Sequence, residues 1–236
     1  PIMSVAPNNS RVREGSMGAH AADDHHHELP FDQWPEDRWT GSASLGKIGM
    51  WVFLLSDALT FAGFLLAYGI LRGGSEQWIM PGEPVEFGIN FTAGLTFLLI
   101  CSSVTMVMGY AAIVEGNRKT AFRWLMATVL GGALFLCGQA QEYFGAFEFL
   151  FHHQGLIADG LIFGNSHRAS TFYLITSFHG MHVLTGTIYI LVMAIRTYMG
   201  KYDGGNYNHI EMCGLFWHFV DLIWILVFTF IYLIPA

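Results

Sequence analysis

The chain has 236 residues, of which 53% are apolar or aromatic and only 12% are charged. Soluble globular domains carry about 25% charged residues, so this composition indicates a chain solvated mainly by lipid. The 11 basic and 18 acidic residues give a net charge of −7. No basic block is present to neutralise phosphates, which excludes nucleic acid as a partner. The cysteines lie in separate apolar stretches without a CxxC pair, which excludes a disulfide scaffold: Cys101, Cys137 and Cys213.

Five apolar stretches are long enough to cross a bilayer as helices, which takes about 20 residues. Each is too long for a strand, and the glycines within them are typical of membrane helices, where they allow close backbone contact. The sequence therefore predicts an all-α integral membrane bundle of five transmembrane helices. The predicted spans cover residues 48–71, 87–114, 124–149, 169–195 and 212–234.

The first 45 residues differ from the rest, with seven acidic residues, three basic residues and four prolines. They contain no apolar core of the kind that a signal peptide needs. We expect a polar N-terminal arm over residues 1–45, followed by a membrane domain over residues 46–236. Within the arm, His25–His27 have two interpretations, a solvated stretch of tail or a loose metal-binding site, of which the first is favoured.

Basic residues are distributed unequally between the two sides of the predicted bundle. Nine lie in the N-terminal arm, at the start of span one, or beside the loops after spans two and four: Arg11, Arg13, Arg38, Lys47, Arg118, Lys119, Arg123, Arg196 and Lys201. The opposite side carries two, Arg72 and Arg168. By the positive-inside rule we expect the N-terminus in the cytoplasm and the C-terminus outside.

Ionisable side chains within membrane spans mark functional or interhelical contacts, because lipid tails cannot form hydrogen bonds with them. Asp57 lies about ten residues into span one, near the bilayer midplane at a rise of about 1.5 Å per residue. Span four has two histidines three residues apart, and span five a histidine and an aspartate at the same spacing, so each pair shares a helical face. The six such residues are Asp57, Glu142, His179, His182, His218 and Asp221.

These residues have more than one interpretation. His179 or His182 facing His218 could ligate a haem between two helices, or the imidazoles could be interhelical hydrogen-bond partners, which is the favoured interpretation. A copper site has weaker support, because the histidines are not clustered. Asp57 could carry a proton or form a structural hydrogen bond in its neutral form. The residues alone do not separate these two roles.

Motifs in all five spans resemble a known family. Span four reads Ser-Phe-His-Gly-Met-His-Val-Leu-Thr-Gly at 177–186, and span five reads Phe-Trp-His-Phe-Val-Asp-Leu-Ile-Trp at 216–224. Span one contributes the segment 49–64 and span two the segment 98–105. Span three contributes Gly132, Phe135, Gln139, Glu142 and Tyr143 at the family's spacing. Over residues 46–234 the chain resembles subunit III of the haem–copper respiratory oxidases, in its five-helix bacterial form.

The resemblance implies an accessory subunit of a proton-pumping terminal oxidase that reduces dioxygen to water in the inner (plasma) membrane of a bacterium. In this family subunit III binds no redox metal, and the haems and copper belong to partner subunits. The implied partners are the catalytic subunit I, subunit II, membrane lipids and other respiratory complexes. Structural phospholipids are the implied ligands, and the implied role is to stabilise the catalytic subunit and support proton uptake.

The resemblance also implies roles for individual residues. Asp57 matches the family's buried, carbodiimide-reactive carboxylate, and Arg196 matches an arginine that contacts a lipid phosphate. A buried polar network is implied to brace the bundle, with no catalytic residue and no metal ligand among its members: Gln139, Glu142, His179, His182, Glu211, Trp217, His218 and Asp221.

Some features depart from the usual pattern. Asp57 replaces a glutamate usual in cytochrome c oxidases, and the order of residues near Leu215 is similar to that of the quinol-oxidising branch. The electron donor, cytochrome c or quinol, therefore stays open. Three other functions also remain open: a quinol-oxidising cytochrome b subunit, a subunit III-like protein of a nitric oxide reductase, and a transporter with Asp57 as its proton site. Against the transporter, the sequence shows no inverted repeat.

Overall fold

The computed structural model describes residues 45–84, 88–145, 155–202 and 207–234. Five long helices account for most of them. We label these α1 (Leu45–Gly74), α2 (Ile89–Val114), α3 (Arg118–Phe144), α4 (His167–Tyr198) and α5 (Asn208–Val227), and α5 continues as a π-helical segment, Phe228–Leu233. The predicted arm, with His25–His27, lies outside the described residues except for its last residue, which begins α1.

All five helices are long and apolar enough to cross a membrane, α5 being counted together with its π-helical segment. The described ranges contain no β-strand. The prediction of an all-α chain with five spans is confirmed, whereas the orientation of the termini stays a prediction.

The third span shows the largest error in the predicted boundaries. We predicted residues 124–149, but α3 is Arg118–Phe144. It begins earlier because the Asn117 side chain accepts a hydrogen bond from the Thr120 N–H over 3.2 Å, which caps the helix in front of its basic first turn. It ends earlier because Gly145 takes the left-handed conformation, with φ of 64°, that terminates many helices.

The other boundaries differ by a few residues. Helices α1 and α4 extend two or three residues further at each end than the predicted spans, and α5 starts four residues earlier at Asn208. These three helices are longer because polar residues at the ends of a membrane helix lower its hydropathy without interrupting its hydrogen bonds. Helix α2 instead starts two residues later than predicted, at Ile89.

Helices α2 to α5 form a bundle in which each packs along the next and α5 returns to α2, while α1 packs against α4 and α5 from outside. Small residues allow neighbouring helices of the bundle to approach each other closely. A Cβ atom at Gly131 would lie 2.8 Å from Cβ of Ser102, and one at Gly132 would lie 2.7 Å from the Trp217 ring. Such contacts are typical of membrane helices, whose association depends on close side-chain packing.

Candidate functional site

The two helices α1 and α4 are joined by a polar pair. His182 Nε2 lies 3.2 Å from Asp57 Oδ1, and the Asp57 residue is only 8% exposed. His182 Nδ1 lies 2.7 Å from the carbonyl oxygen of Phe178, which can only accept, so Nδ1 carries a hydrogen. The contact between Nε2 and Asp57 therefore needs a further proton, held on either the imidazole or the carboxyl group. The structure thus brings together two residues that the sequence placed in different spans.

His179 is fully buried at the junction of α3, α4 and α5. Its Nε2 donates to the carbonyl oxygen of Val220 over 3.0 Å. Its ring packs against Trp224, with centroids 4.8 Å apart, and against Phe135 at 5.8 Å. This side chain is an interhelical hydrogen-bond donor, as favoured from the sequence.

Glu142 and Gln139 lie in the C-terminal half of α3 and contact different helices. Thr92 of α2 donates to Glu142 Oε1 over 3.2 Å, and Tyr232 of the π-helical segment donates to Oε2 over 3.0 Å. Gln139 Nε2 donates to the carbonyl oxygen of Thr176 in α4 over 2.7 Å. Together they tie α3 to α2, α4 and the end of α5.

Two residues of α5, Trp217 and Asp221, form hydrogen bonds with α2. Trp217 Nε1 donates to Ser102 Oγ over 3.2 Å, and Ser103 Oγ donates to Asp221 Oδ2 over 2.7 Å. His218 lies one helical turn before Asp221, close enough to interact with it electrostatically, and it is half-buried. No described residue forms a hydrogen bond with the His218 ring.

Two further predicted residues lie near the ends of helices. Glu211, in the first turn of α5, forms an ion pair with Lys47 near the start of α1. Oε2 of Glu211 lies 2.7 Å from Nζ of Lys47, and both side chains are partly exposed. Arg196, in the last turn of α4, places its guanidinium carbon 6.0 Å from the centre of the Tyr202 ring.

The predicted residues thus do not form one continuous network. They form separate contacts, and the partners that complete them were not anticipated from the sequence. These partners are hydroxyl side chains and backbone carbonyls: Thr92, Ser102, Ser103 and Tyr232 among the side chains, and Thr176, Phe178 and Val220 among the carbonyls. Serine and threonine are common in membrane helices, so the sequence does not show which of them pairs with which predicted residue.

The contacts of His179 and His182 do not favour haem ligation. A bis-imidazole haem needs one ring nitrogen from each of two facing helices directed at the iron. Nε2 of His179 is directed at a backbone carbonyl and Nε2 of His182 at a carboxylate, and both partners belong to this chain. Within the described ranges, no three His, Cys, Asp or Glu side chains are grouped to hold a metal ion.

Two apolar grooves open on the surface of the bundle. One, of about 400 Å³, lies where α1, α4 and α5 meet, and His182 lines it together with Met50, Phe53, Met181 and Phe216. The other, of about 610 Å³, lies between the end of α3, the segment before α4, and α4 itself. Grooves of this size and apolar lining accommodate hydrocarbon chains.

The cytochrome c oxidase subunit III family model matches residues 40–235. The chain is 34% identical over 220 residues to the cytochrome c oxidase subunit 3 of Thermostichus vulcanus, covering 93% of this chain and 96% of the relative. It is 32% identical over 189 residues to a probable cytochrome c oxidase subunit 3 of Nocardia farcinica, covering 80% and 87%. It is 33% identical over 195 residues to the cytochrome c oxidase subunit 3 of a Synechocystis species, covering 82% and 78%.

Proposed function

Because the chain belongs to the cytochrome c oxidase subunit III family, we propose that it is the accessory, non-redox subunit of a proton-pumping haem–copper terminal oxidase that reduces dioxygen to water. The observation that carries this proposal is the family match over residues 40–235, which includes all five membrane helices. Electron transfer and proton pumping belong to the partner subunits I and II, which hold the haems and copper. This chain stabilises the catalytic subunit in the membrane.

The contacts of the histidines support a bracing role without electron transfer. Nε2 of His179 contacts the Val220 carbonyl and so joins α4 to α5. Nε2 of His182 contacts Asp57 and so joins α4 to α1. Such interhelical hydrogen bonds contribute about 1 kcal/mol each to a membrane bundle. They fix the surface that the bundle offers to its neighbours.

Two features support the binding of structural phospholipids. The groove between α1, α4 and α5 is almost entirely apolar, as an acyl chain requires. Arg196 lies at the end of α4 that we place on the cytoplasmic side, where a guanidinium group can pair with a lipid phosphate. The lipid then fills space between this chain and the catalytic subunit.

The layer formed by this chain and its bound lipid also supports proton uptake by the catalytic subunit. The proposed orientation places the N-terminus in the cytoplasm of a bacterial cell, on the side from which a terminal oxidase takes up protons. Covering the catalytic subunit keeps water away from its intramembrane acids. Altered hydration would change the proton affinity of those acids.

The electron donor of the proposed oxidase is either cytochrome c or quinol. The relatives are named cytochrome c oxidase subunits, which favours cytochrome c, whereas Asp57 and the residues near Leu215 are similar to the quinol-oxidising branch. Identification of the chains that purify with this one decides between them. A partner subunit with a two-copper motif indicates cytochrome c, and one without that motif indicates quinol.

Selective removal of this chain from the purified complex tests the proposal. We expect the remaining complex to keep its haems and to reduce dioxygen, but to lose proton-uptake efficiency and to inactivate during turnover. Full activity and lifetime in the stripped complex would refute the bracing role.

An absorption spectrum of the isolated chain tests the rival cytochrome b function. We expect no haem Soret band from this chain alone. A Soret band that disappears when His179 and His218 are replaced would show that the histidines bind haem and would overturn the non-redox assignment.

A further inference from the structure

Helix α1 is attached to the rest of the bundle along one narrow stripe of side chains. Among the described residues of α1, the buried ones are Leu54, Asp57, Phe61 and Tyr68. Their spacing of three, four and seven residues puts them on one face of the helix. Three of them are apolar and Asp57 is the polar one. Because so few side chains fix α1, a change in the Asp57 carboxyl group should affect whether α1 stays in place.

Asp57 lies near the middle of its span, far from bulk water. It follows Leu45 by twelve residues and precedes Gly74 by seventeen, which puts it about 18 Å from the start of α1. Its Oδ2 is enclosed by the protein without a hydrogen-bond partner in the described part of the chain. The carboxyl group therefore depends on the contact of its Oδ1 with Nε2 of His182, over 3.2 Å.

The hydrogen bonds of His182 fix the number of protons that this contact needs. Nδ1 carries one hydrogen, which it donates to the carbonyl oxygen of Phe178 over 2.7 Å. Nε2 and the Asp57 carboxyl group must then share one more proton, whichever atom holds it. If that proton left, the lone pair of Nε2 would face a negatively charged carboxylate. A buried charge without a donor is strongly unfavourable, so the closed contact and the shared proton depend on each other.

Other titratable or charged groups around the pair have different partners. On α4, Nε2 of His179 donates to a backbone carbonyl of α5. On α1, the nearest charged residue along the chain is Lys47, ten positions before Asp57, and it pairs with Glu211 of α5. Further along α5, His218 and Asp221 interact electrostatically with each other. The proton between Asp57 and His182 is therefore the one on which their contact depends.

The pair borders a groove through which water can reach it when α1 moves. His182 lines the groove of about 400 Å³ between α1, α4 and α5, and so do Met50 and Tyr189. Met50 lies near the start of α1, and the Tyr189 hydroxyl donates to the carbonyl oxygen of His209, at the start of α5, over 3.3 Å. The groove thus extends from the pair toward the ends of two helices, where the membrane surface lies.

We propose that the contact between Asp57 and His182 is a pH-sensitive switch. It keeps α1 against α4 while the pair holds its shared proton, and it releases α1 when that proton passes to water. The closed contact binds one proton more than the separated pair, in which His182 keeps the hydrogen on Nδ1 and Asp57 is ionised. Rising pH therefore favours separation and falling pH favours contact. Separation widens the groove between α1, α4 and α5. This inference goes beyond the proposed function, because it concerns the response of this chain to pH whichever complex it joins.

Backbone hydrogen exchange measured at a series of pH values tests the switch on the full chain, purified with the subunits that accompany it. Intrinsic exchange also becomes faster as the pH rises, so exchange in α1 is expressed relative to exchange in α2 and α3 of the same molecule. We expect this ratio to rise about fivefold between mildly acidic and alkaline pH, as for the loss of one interhelical hydrogen bond. A constant ratio over that range would refute the proposal.

Two substitutions remove the need for the shared proton. In Asp57→Asn the amide can donate to Nε2 of His182, and in His182→Gln the amide can donate to the Asp57 carboxylate. Either variant should keep α1 in place with an exchange ratio that does not change with pH, and the second serves if the first fails to fold. Glu211→Gln is the matched control, because it changes the other carboxylate that contacts α1.

The pattern over the three variants decides the question. A pH dependence that disappears in Asp57→Asn and His182→Gln and remains in Glu211→Gln supports the proposal. A pH dependence that survives in either of the first two variants would show that another group controls α1, and would overturn it. Its disappearance in Glu211→Gln would assign the effect to the ion pair with Lys47, and would overturn it as well.

Discussion

Helix α1 and the bundle formed by α2 to α5 are built differently. In the most apolar 18-residue window of α1 only 17% of the residues are buried, against 44% in α4 and in the span formed by α5. The polar contacts of α1 include Asp57 with His182 and Lys47 with Glu211. The other four helices are joined to one another by interhelical hydrogen bonds and glycine contacts.

This difference shows that α2 to α5 are packed mainly against one another, whereas α1 leaves most of its surface uncovered by this chain. Helices α2 to α5 enclose large aromatic side chains such as Trp217, Trp224 and Phe135, each at most 1% exposed. Helix α1 shows most of its surface to the membrane, so in the proposed complex its surroundings are lipids and partner subunits. Substitutions in α1 and in the other four helices should therefore differ in their effect on stability.

The largest effect should come from enlarging Gly132, inside the bundle. A Cβ atom there meets Trp217 and the hydroxyl group of Thr187, so Gly132→Leu should destabilise the chain by about 3 kcal/mol or more. Thermal denaturation of the detergent-purified complex, followed by loss of this chain, measures it. The matched control is Gly63→Leu in α1, where nothing lies within 4 Å of the added atom; equal effects of both substitutions would contradict the comparison.

The next effect should come from the polar contact that holds α1. His182→Leu leaves the Asp57 carboxyl group buried without its partner, which should cost about 1–3 kcal/mol. The expected result is easier separation of α1 from α4, seen as faster hydrogen exchange of the α1 backbone, with α2 and α3 unchanged. Uniformly faster exchange throughout the chain would show instead that α1 is not a separately held element.

Asp57→Asn should have a smaller effect than His182→Leu. The amide of asparagine can donate to Nε2 of His182 without an added proton, so the link between α1 and α4 persists. We expect dioxygen reduction by the complex to stay within about twofold of the unmodified rate, because interhelical hydrogen bonds of this kind contribute about 1 kcal/mol or less. Complete loss of turnover in a fully assembled complex would mean that Asp57 takes part in the reaction.

The smallest effect should come from Lys47→Met, which removes the ion pair to Glu211. Both side chains are partly exposed near the membrane surface, so the pair should contribute at most about 1 kcal/mol. Its contribution should shrink further at high salt. A shift in denaturation midpoint larger than that for His182→Leu would contradict the ranking of the two contacts.

Much of the fold could be predicted from the sequence because lipid imposes a simple rule on length and hydropathy. The five spans follow from that rule. The start of α3 does not, since Asn117 caps a helix whose first turn is basic, and a basic turn lowers the local hydropathy. The π-helical segment at Phe228–Leu233 also left no sequence signal, although it carries the Tyr232 that contacts Glu142.

The sequence draws attention to the ionisable residues within the spans, but it does not show which residues they contact. Histidines and acids stand out in apolar spans, so Asp57, His182 and Asp221 were identified without a structure. Their partners depend on how helices far apart in the chain pack together, as when Ser103 meets Asp221 across 118 positions. The structure shows these contacts between particular pairs of helices, which the sequence alone does not specify.

Haem and metal content per catalytic subunit, measured before and after this chain is removed from the purified complex, tests the non-redox assignment most directly. We expect the haem and copper stoichiometry to stay unchanged, while dioxygen reduction continues and then decays faster than in the intact complex. Loss of a haem or a copper ion in proportion to the chain removed would contradict the assignment.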